Sequence, residues 1–207
     1  MVYKNFIMRI ISSIFFILIY FFISVINFNL VFYFIILIYI FIIAEIYLYF
    51  KIFKLLPFIY TLLSFLFFLQ IDFHKSSYQL FNLFIFVVIS FDIFSYFIGK
   101  IIGRKSFISV SPNKTIEGLI GGIITAFSVS ILFSYVLKID INLKILVFIL
   151  LIILFAFIGD IIESFFKRKN NLKNSSEFIP GHGGVFDRFD SFLFSIILYS
   201  IFNIIEL

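Results

Sequence analysis

The sequence predicts an all-α, polytopic integral membrane protein with about seven transmembrane helices and a cytoplasmic N-terminus. Three observations predict it. Hydrophobic residues make up 63% of the 207-residue chain and charged residues 13%, with a mean hydropathy of +1.22. A soluble domain has roughly 45–50% apolar and about 25% charged residues, so this chain has too little polar surface to face water. The apolar runs are continuous over helix-spanning lengths and do not alternate in the roughly 10-residue segments of a β-barrel. The basic residues gather between alternate runs, as the positive-inside rule requires of a multi-span protein. Cysteine is absent, which removes disulfides, thiolate metal sites and Cys nucleophiles. The 36 Phe residues need no special chemistry, since Phe serves as well as Leu against lipid tails.

A spanning helix needs about 20 mostly apolar residues. Candidate spans run over residues 10–27, 30–50, 55–71, 78–99, 117–137, 145–163 and 191–206. The first apolar run is too long for a signal-peptide h-region, and no small-residue cleavage site follows it. With the N-terminus inside, the cytoplasmic segments hold Lys4 and Arg9, then Lys51 and Lys54. They also hold Lys100, Arg104, Lys105 and Lys114, and finally Lys167, Arg168, Lys169, Lys173 and Arg188. Thirteen of the 16 basic residues thus share one side, leaving Lys75, Lys138 and Lys144 outside. The chain divides near residue 90. Residues 1–89 read as anchor helices, with Glu45 their only embedded acid, and residues 90–207 as a catalytic region. All nine glycines fall in the second part.

Three polar clusters carry the chemistry. In the first, Asp92 sits inside an apolar span, where an acid is costly unless it meets a polar cavity or a cation. Gly99 and Gly103 close that span with the spacing of a tight helix contact. Ser111-Pro112-Asn113-Lys114-Thr115 then precedes the next span. The hydroxyls there can cap a helix, and a helix N-terminus beside Lys114 suits a phosphate. In the second cluster, Asp160 and Glu163 share a helix face, with Lys167 one turn beyond Glu163. An ordinary helix-end ion pair explains Glu163–Lys167 as well as a catalytic role does. The third cluster, Pro180-Gly181-His182-Gly183-Gly184, lets backbone N–H groups approach a ligand closely, but no G-K-[ST] follows to make a Walker loop. Asp187 and Asp190 open the last span with Arg188 between them. Acids without His or Cys partners suit Mg²⁺, which prefers oxygen ligands and bridges to substrate phosphates. Asp160, Asp187 and Asp190 are the metal candidates. Carboxylates, basic side chains and a glycine loop at a membrane face point to phosphoryl or nucleotidyl transfer to a lipid.

At these residues the sequence resembles the phosphatidate cytidylyltransferases, whose C-terminal pattern reads S-x-x-K-R-x(4)-K-D-x-[GSA]-x(2)-[LIF]-[PG]-x-H-G-G-x-x-D-R-x-D. Ser164, Lys167, Arg168, Lys173, Ser176, Ile179, Pro180, His182, Gly183, Gly184, Asp187, Arg188 and Asp190 fit it in register. Asn174 stands where the pattern has Asp, and the N-terminal anchor is short for the family. The resemblance implies Mg²⁺-dependent transfer of a cytidylyl group from CTP to phosphatidate, with room for a second cation. It implies a catalytic set of Asp160, Lys167, Arg168, Lys173, His182, Asp187 and Arg188. Asp92, Ser111, Lys114, Thr115, Glu163, Ser164, Gly183 and Gly184 would bind substrate. The implied setting is a bacterial-type inner membrane with the site facing the cytoplasm. The partners would be CTP, phosphatidate and membrane lipid, with no nucleic acid; a homodimer is left open. The alternatives are a CTP-dependent lipid-alcohol kinase or another lipid cytidylyltransferase, a transporter lined by Asp92 and Glu45, and an inactive remnant marked by Asn174.

Overall fold

The computed structural model describes residues 18–73, 78–106, 108, 110–112, 114–178 and 183–206. Within them the chain is helical: α1 (18–26), α2 (Asn29–Tyr49), α3 (Leu55–Leu69), α4 (Tyr78–Ile102), α5 (Ile116–Val136), α6 (Leu143–Lys169) and α7 (Phe186–Glu206). An isolated antiparallel bridge joins Ser106 to Thr115. Helices α2, α4, α5, α6 and α7 are each long and apolar enough to cross a bilayer, which makes this a polytopic membrane protein. Helix α3, expected as a full span over 55–71, has only 15 residues and reaches about 22 Å against a hydrocarbon core of about 30 Å. Residues 10–17 of the first expected span lie outside the described residues.

Local chemistry sets the helix ends. Thr115 caps α5, its hydroxyl accepting from Gly118 N–H at 3.1 Å, and Asn142 caps α6 by accepting from Ile145 N–H at 3.0 Å. Helix α6 closes on Lys167, Arg168 and Lys169, cations that complement the negative end of its dipole. Asn170 then serves two ends at once. Its backbone N–H caps α6, while its side-chain oxygen accepts from Ile52 and Phe53 N–H, both at 3.0 Å. The α2–α3 loop is thereby pinned to the C-terminal end of α6.

Helices α4 and α5 form an antiparallel pair through a stripe of small residues. Gly118, Gly122, Ala126, Ser130 and Ser134 recur every fourth position on α5 and are all buried. A Cβ on Gly118 would lie 2.8 Å from Gly99 Cα and 2.8 Å from the Ser95 carbonyl, so only glycine permits this approach. Such stripes are how helices associate where lipid gives no hydrophobic drive. Helix α6 buries Ile145, Phe148, Ile149, Ile152, Ile153, Ala156, Gly159 and Glu163, a continuous face that meets α7. Phe81 and Phe84 of α4 pack on Tyr199 of α7, completing the centre. Helix α3 is held by a relay in which Tyr39 and Ser64 hydroxyls meet at 2.7 Å and Ser64 donates to the Leu193 carbonyl at 2.6 Å.

Candidate active site

The buried face of α6 ends in charge. Asp160 lies 17 residues after Leu143, about 26 Å along the axis and so near the far edge of the hydrocarbon. Glu163 and Lys167 follow on the same face at the next turns. Helix α7 runs back antiparallel from this end and brings Asp187 and Asp190 opposite them. One oxygen from each of Asp160, Glu163 and Asp190 lies within 4.8 Å of the other two. Around an octahedral Mg²⁺ with bonds of about 2.1 Å, ligand oxygens sit roughly 3–4 Å apart, so a small inward movement of these side chains suffices.

Cations surround the trio. Lys114, in the α4–α5 loop, pairs with Asp160. Lys167 sits between two acids, 2.7 Å from Glu163 Oε2 and 2.6 Å from Asp187 Oδ1. Asp92 of α4 closes the cluster from below, its Oδ1 accepting from the Ser191 hydroxyl at 2.9 Å. Asp92, Asp160, Glu163, Asp187 and Asp190 thus gather around Lys114 and Lys167. The carboxyl groups outnumber these two cations, an excess of acid that suits a divalent ion. A substrate phosphate would need that ion even more.

The glycine loop is organised by two acids. Asp187 Oδ2 accepts from Ser175 N–H, the Ser175 hydroxyl and Gly184 N–H, each at 2.8 Å. From α2, Glu45 Oε2 accepts from Val185 N–H at 2.8 Å and Phe186 N–H at 3.1 Å. Gly184 lies so close beneath it that a Cβ there would overlap Glu45 Oε1. Gly183 adopts φ +85°, in the left-handed region where glycine is unstrained. An open cleft of about 490 Å³ at the end of α6 is lined by Pro112, Arg168, Asn171, Leu172 and Lys173. Arg168 is fixed along its wall, donating from Nε to the Val110 carbonyl at 3.2 Å and from Nη1 to the Leu172 carbonyl at 2.9 Å.

Comparison with known proteins bears on what this arrangement belongs to. Residues 4–205 match the cytidylyltransferase family. The chain belongs to that family. It is 44% identical over 110 residues to the phosphatidate cytidylyltransferase of Bacillus subtilis (strain 168), covering 52% of this chain and 41% of that protein. The phosphatidate cytidylyltransferase of Staphylococcus aureus (strain COL) is 44% identical over 109 residues, covering 52% and 42%. That of Helicobacter pylori (strain J99) is 44% identical over 111 residues, covering 52% and 41%. The matched stretch spans about two fifths of the length of these relatives.

In this cytidylyltransferase-family chain, the expected site residues divide by position. Asp160 and Asp190 come together, with Glu163 as the third member of the trio. Asp187 is engaged by Lys167 and by the glycine loop. Lys167 is held between acids, whereas Arg168 and Lys173 border the cleft. Thr115 commits its hydroxyl to the α5 cap. Ser111 supplies the carbonyl that turns the loop back to Lys114 N–H at 3.1 Å. Ser164 is buried beside Glu163, and Arg188 is exposed at the first turn of α7. Gly183 and Gly184 form the described end of the glycine loop; His182 lies outside the described residues. Glu45 and Ser175 join the site without having been expected there. For Glu45 the available signal was a lone acid in an apolar span. For Ser175 there was none, because its partner is twelve residues away.

Proposed function

We propose that this chain transfers the cytidylyl group of CTP to phosphatidate, giving CDP-diacylglycerol and pyrophosphate, at the cytoplasmic face of the cell membrane. The observation that carries the reading is the oxygen trio of Asp160, Glu163 and Asp190 with Lys114 and Lys167 on its rim, placed where α6 and α7 leave the hydrocarbon. The relatives' names supply the substrates. The seven-span topology with an inside N-terminus, in which the short α3 crosses together with its flanking residues, rests on the one-sided placement of basic residues.

Asp160, Glu163 and Asp190 would hold Mg²⁺. Bound there, the ion supplies charge neutralisation for the phosphates and for the departing pyrophosphate. The chain's own residues do the rest. Lys114 lies against Asp160, where it can meet a substrate phosphate as the acid turns to the ion. Arg168 and Lys173 line a cleft of a size and charge suited to a triphosphate. Lys167 and Asp187 lock the end of α6 to the glycine loop, so its N–H groups and the acids of α7 keep one geometry. A phosphatidate oxygen forms the new bond to the α-phosphorus of CTP, and the bond from that phosphorus to the bridging oxygen of the β-phosphate breaks. Because the nucleophile is already an anion, no general base is required.

Asn174 is exposed, and Asp160, Glu163 and Asp190 assemble without a carboxylate at that position, which supports activity. That Glu45 caps α7 and Asp92 bonds Ser191 supports this reading over one in which the embedded acids line a membrane pathway. The test is conversion of CTP by membranes containing the chain. Product is expected only when phosphatidate and Mg²⁺ are both present. Equal conversion with a lipid alcohol in place of phosphatidate would favour a lipid-alcohol kinase instead.

A further inference from the structure

We infer that Glu45, in the half of the chain that otherwise serves as anchor, is a positioning residue for the cation site. The inference rests on the reading of Asp160, Glu163 and Asp190 as that site. Three consecutive N–H groups open α7, and helix starts leave such donors without intrahelical partners. Two acids divide them. Asp187, within α7 itself, takes Gly184 N–H, whereas Glu45, 140 positions away on α2, takes Val185 and Phe186 N–H through one oxygen. Glu45 is 1% exposed, and its carboxyl group rests on Gly184, where any side chain would displace it. The Phe50 and Phe186 rings, 5.9 Å apart, close the same contact from the side.

Asp190 follows Phe186 by four residues, one helical turn. A slip of one residue in the register of that first turn rotates its side chains by about 100° about the helix axis. The direction in which Asp190 points therefore depends on the register of that turn, which Glu45 pins through Val185 and Phe186. Without it, Val185 and Phe186 N–H lose their acceptor, the first turn is free to slip, and Asp190 leaves the trio.

The test uses the full chain in nanodiscs and Mn²⁺ as the probe, with binding followed by electron paramagnetic resonance and Mg²⁺-dependent turnover of CTP measured in parallel. Glu45→Ala is expected to raise the Mn²⁺ dissociation constant at least tenfold. Glu45→Gln, whose carbonyl oxygen can accept both N–H groups, should recover most of that loss. Gly184→Ala, which leaves the carboxyl group intact but pushes it aside, should weaken Mn²⁺ comparably. The double variant Glu45→Ala with Gly184→Ala should be no worse than the weaker-binding single, because both act through one contact. If Glu45→Ala does not accumulate as folded protein, Gly184→Ala and Glu45→Asp decide by the same criterion. A variant that melts at lower temperature yet binds Mn²⁺ as the wild type does would overturn the inference and leave Glu45 a stabilising residue only. Wild-type protein whose Mn²⁺ binding is indifferent to Asp190→Asn would instead contradict the cation-site reading beneath it.

Discussion

Replacing Asp187 with Asn keeps the shape of the side chain and removes its charge. Asp187 accepts three hydrogen bonds at Oδ2 and pairs with Lys167 at Oδ1, and the side chains of that pair are only 9% and 13% exposed. An Asn has one acceptor oxygen. Turned toward Ser175 and Gly184, it presents its NH₂ group to the Lys167 ammonium; turned the other way, it faces three donors with two more. Each hydrogen bond to a charged group contributes about 1.5–3 kcal/mol, and removing one member of a buried pair costs about 3–5 kcal/mol. These contributions overlap, so the larger single figure is the better guide. A loss of about 3 kcal/mol in the organised loop corresponds to a fall of about 100-fold in kcat/KM, at roughly 1.4 kcal/mol per factor of ten. The assay is formation of CDP-diacylglycerol from CTP and phosphatidate by protein in nanodiscs, normalised to folded protein. Asp140→Asn, exposed in the α5–α6 loop, is the matched control and should behave as wild type. Asp187→Asn at more than half the wild-type rate would refute the reasoning.

Lys114→Gln removes the ion-pair partner of Asp160. Both groups are partly exposed, so about 1 kcal/mol and a five- to tenfold fall in kcat/KM are expected, read from the CTP dependence of turnover. Asn170→Ala deletes the acceptor for Ile52 and Phe53 N–H. It should cost about 1–2 kcal/mol, seen as a lower unfolding temperature in detergent with the Mn²⁺ dissociation constant unchanged. Gly118→Leu places side-chain atoms where Gly99 Cα and the Ser95 carbonyl lie 2.8 Å from an added Cβ. The variant should accumulate poorly or melt well below the wild type, and Gly118→Ala should fall between.

Composition and hydropathy carried most of the fold, because a lipid-facing helix announces itself by length and apolar content alone. What they missed are places where a distant group redraws a boundary. The apolar run put the last span at 191–206, with Asp187 and Asp190 at its opening; α7 begins at Phe186, where Glu45 and Asp187 supply acceptors for N–H groups that a local reading leaves bare. Helix α6 runs on to Lys169 because Glu163 turns into the bundle and Lys167 finds two acids there. The polar clusters were legible because so few charges stand in this chain. Their internal division was not. Spacing put Asp160 and Glu163 on one face but could not show that Asp190, from an antiparallel helix, comes to the same point while Asp187 turns to the loop. The close helix contact was expected from Gly99 and Gly103 of α4, yet the stripe it meets on α5, from Gly118 through Gly122, Ala126, Ser130 and Ser134, became meaningful only once α4 was seen against it.

The most direct test of the proposed chemistry is to follow which phosphorus of CTP enters the lipid. Nanodiscs containing the chain, phosphatidate and Mg²⁺ are supplied in parallel with CTP labelled at the α- or the γ-phosphorus, and the lipid extract is counted. Cytidylyl transfer predicts that the α-label enters the lipid in proportion to CTP consumed, while the γ-label leaves in water-soluble pyrophosphate. Lipid carrying the γ-label, or no label in the lipid from either CTP, would contradict the account.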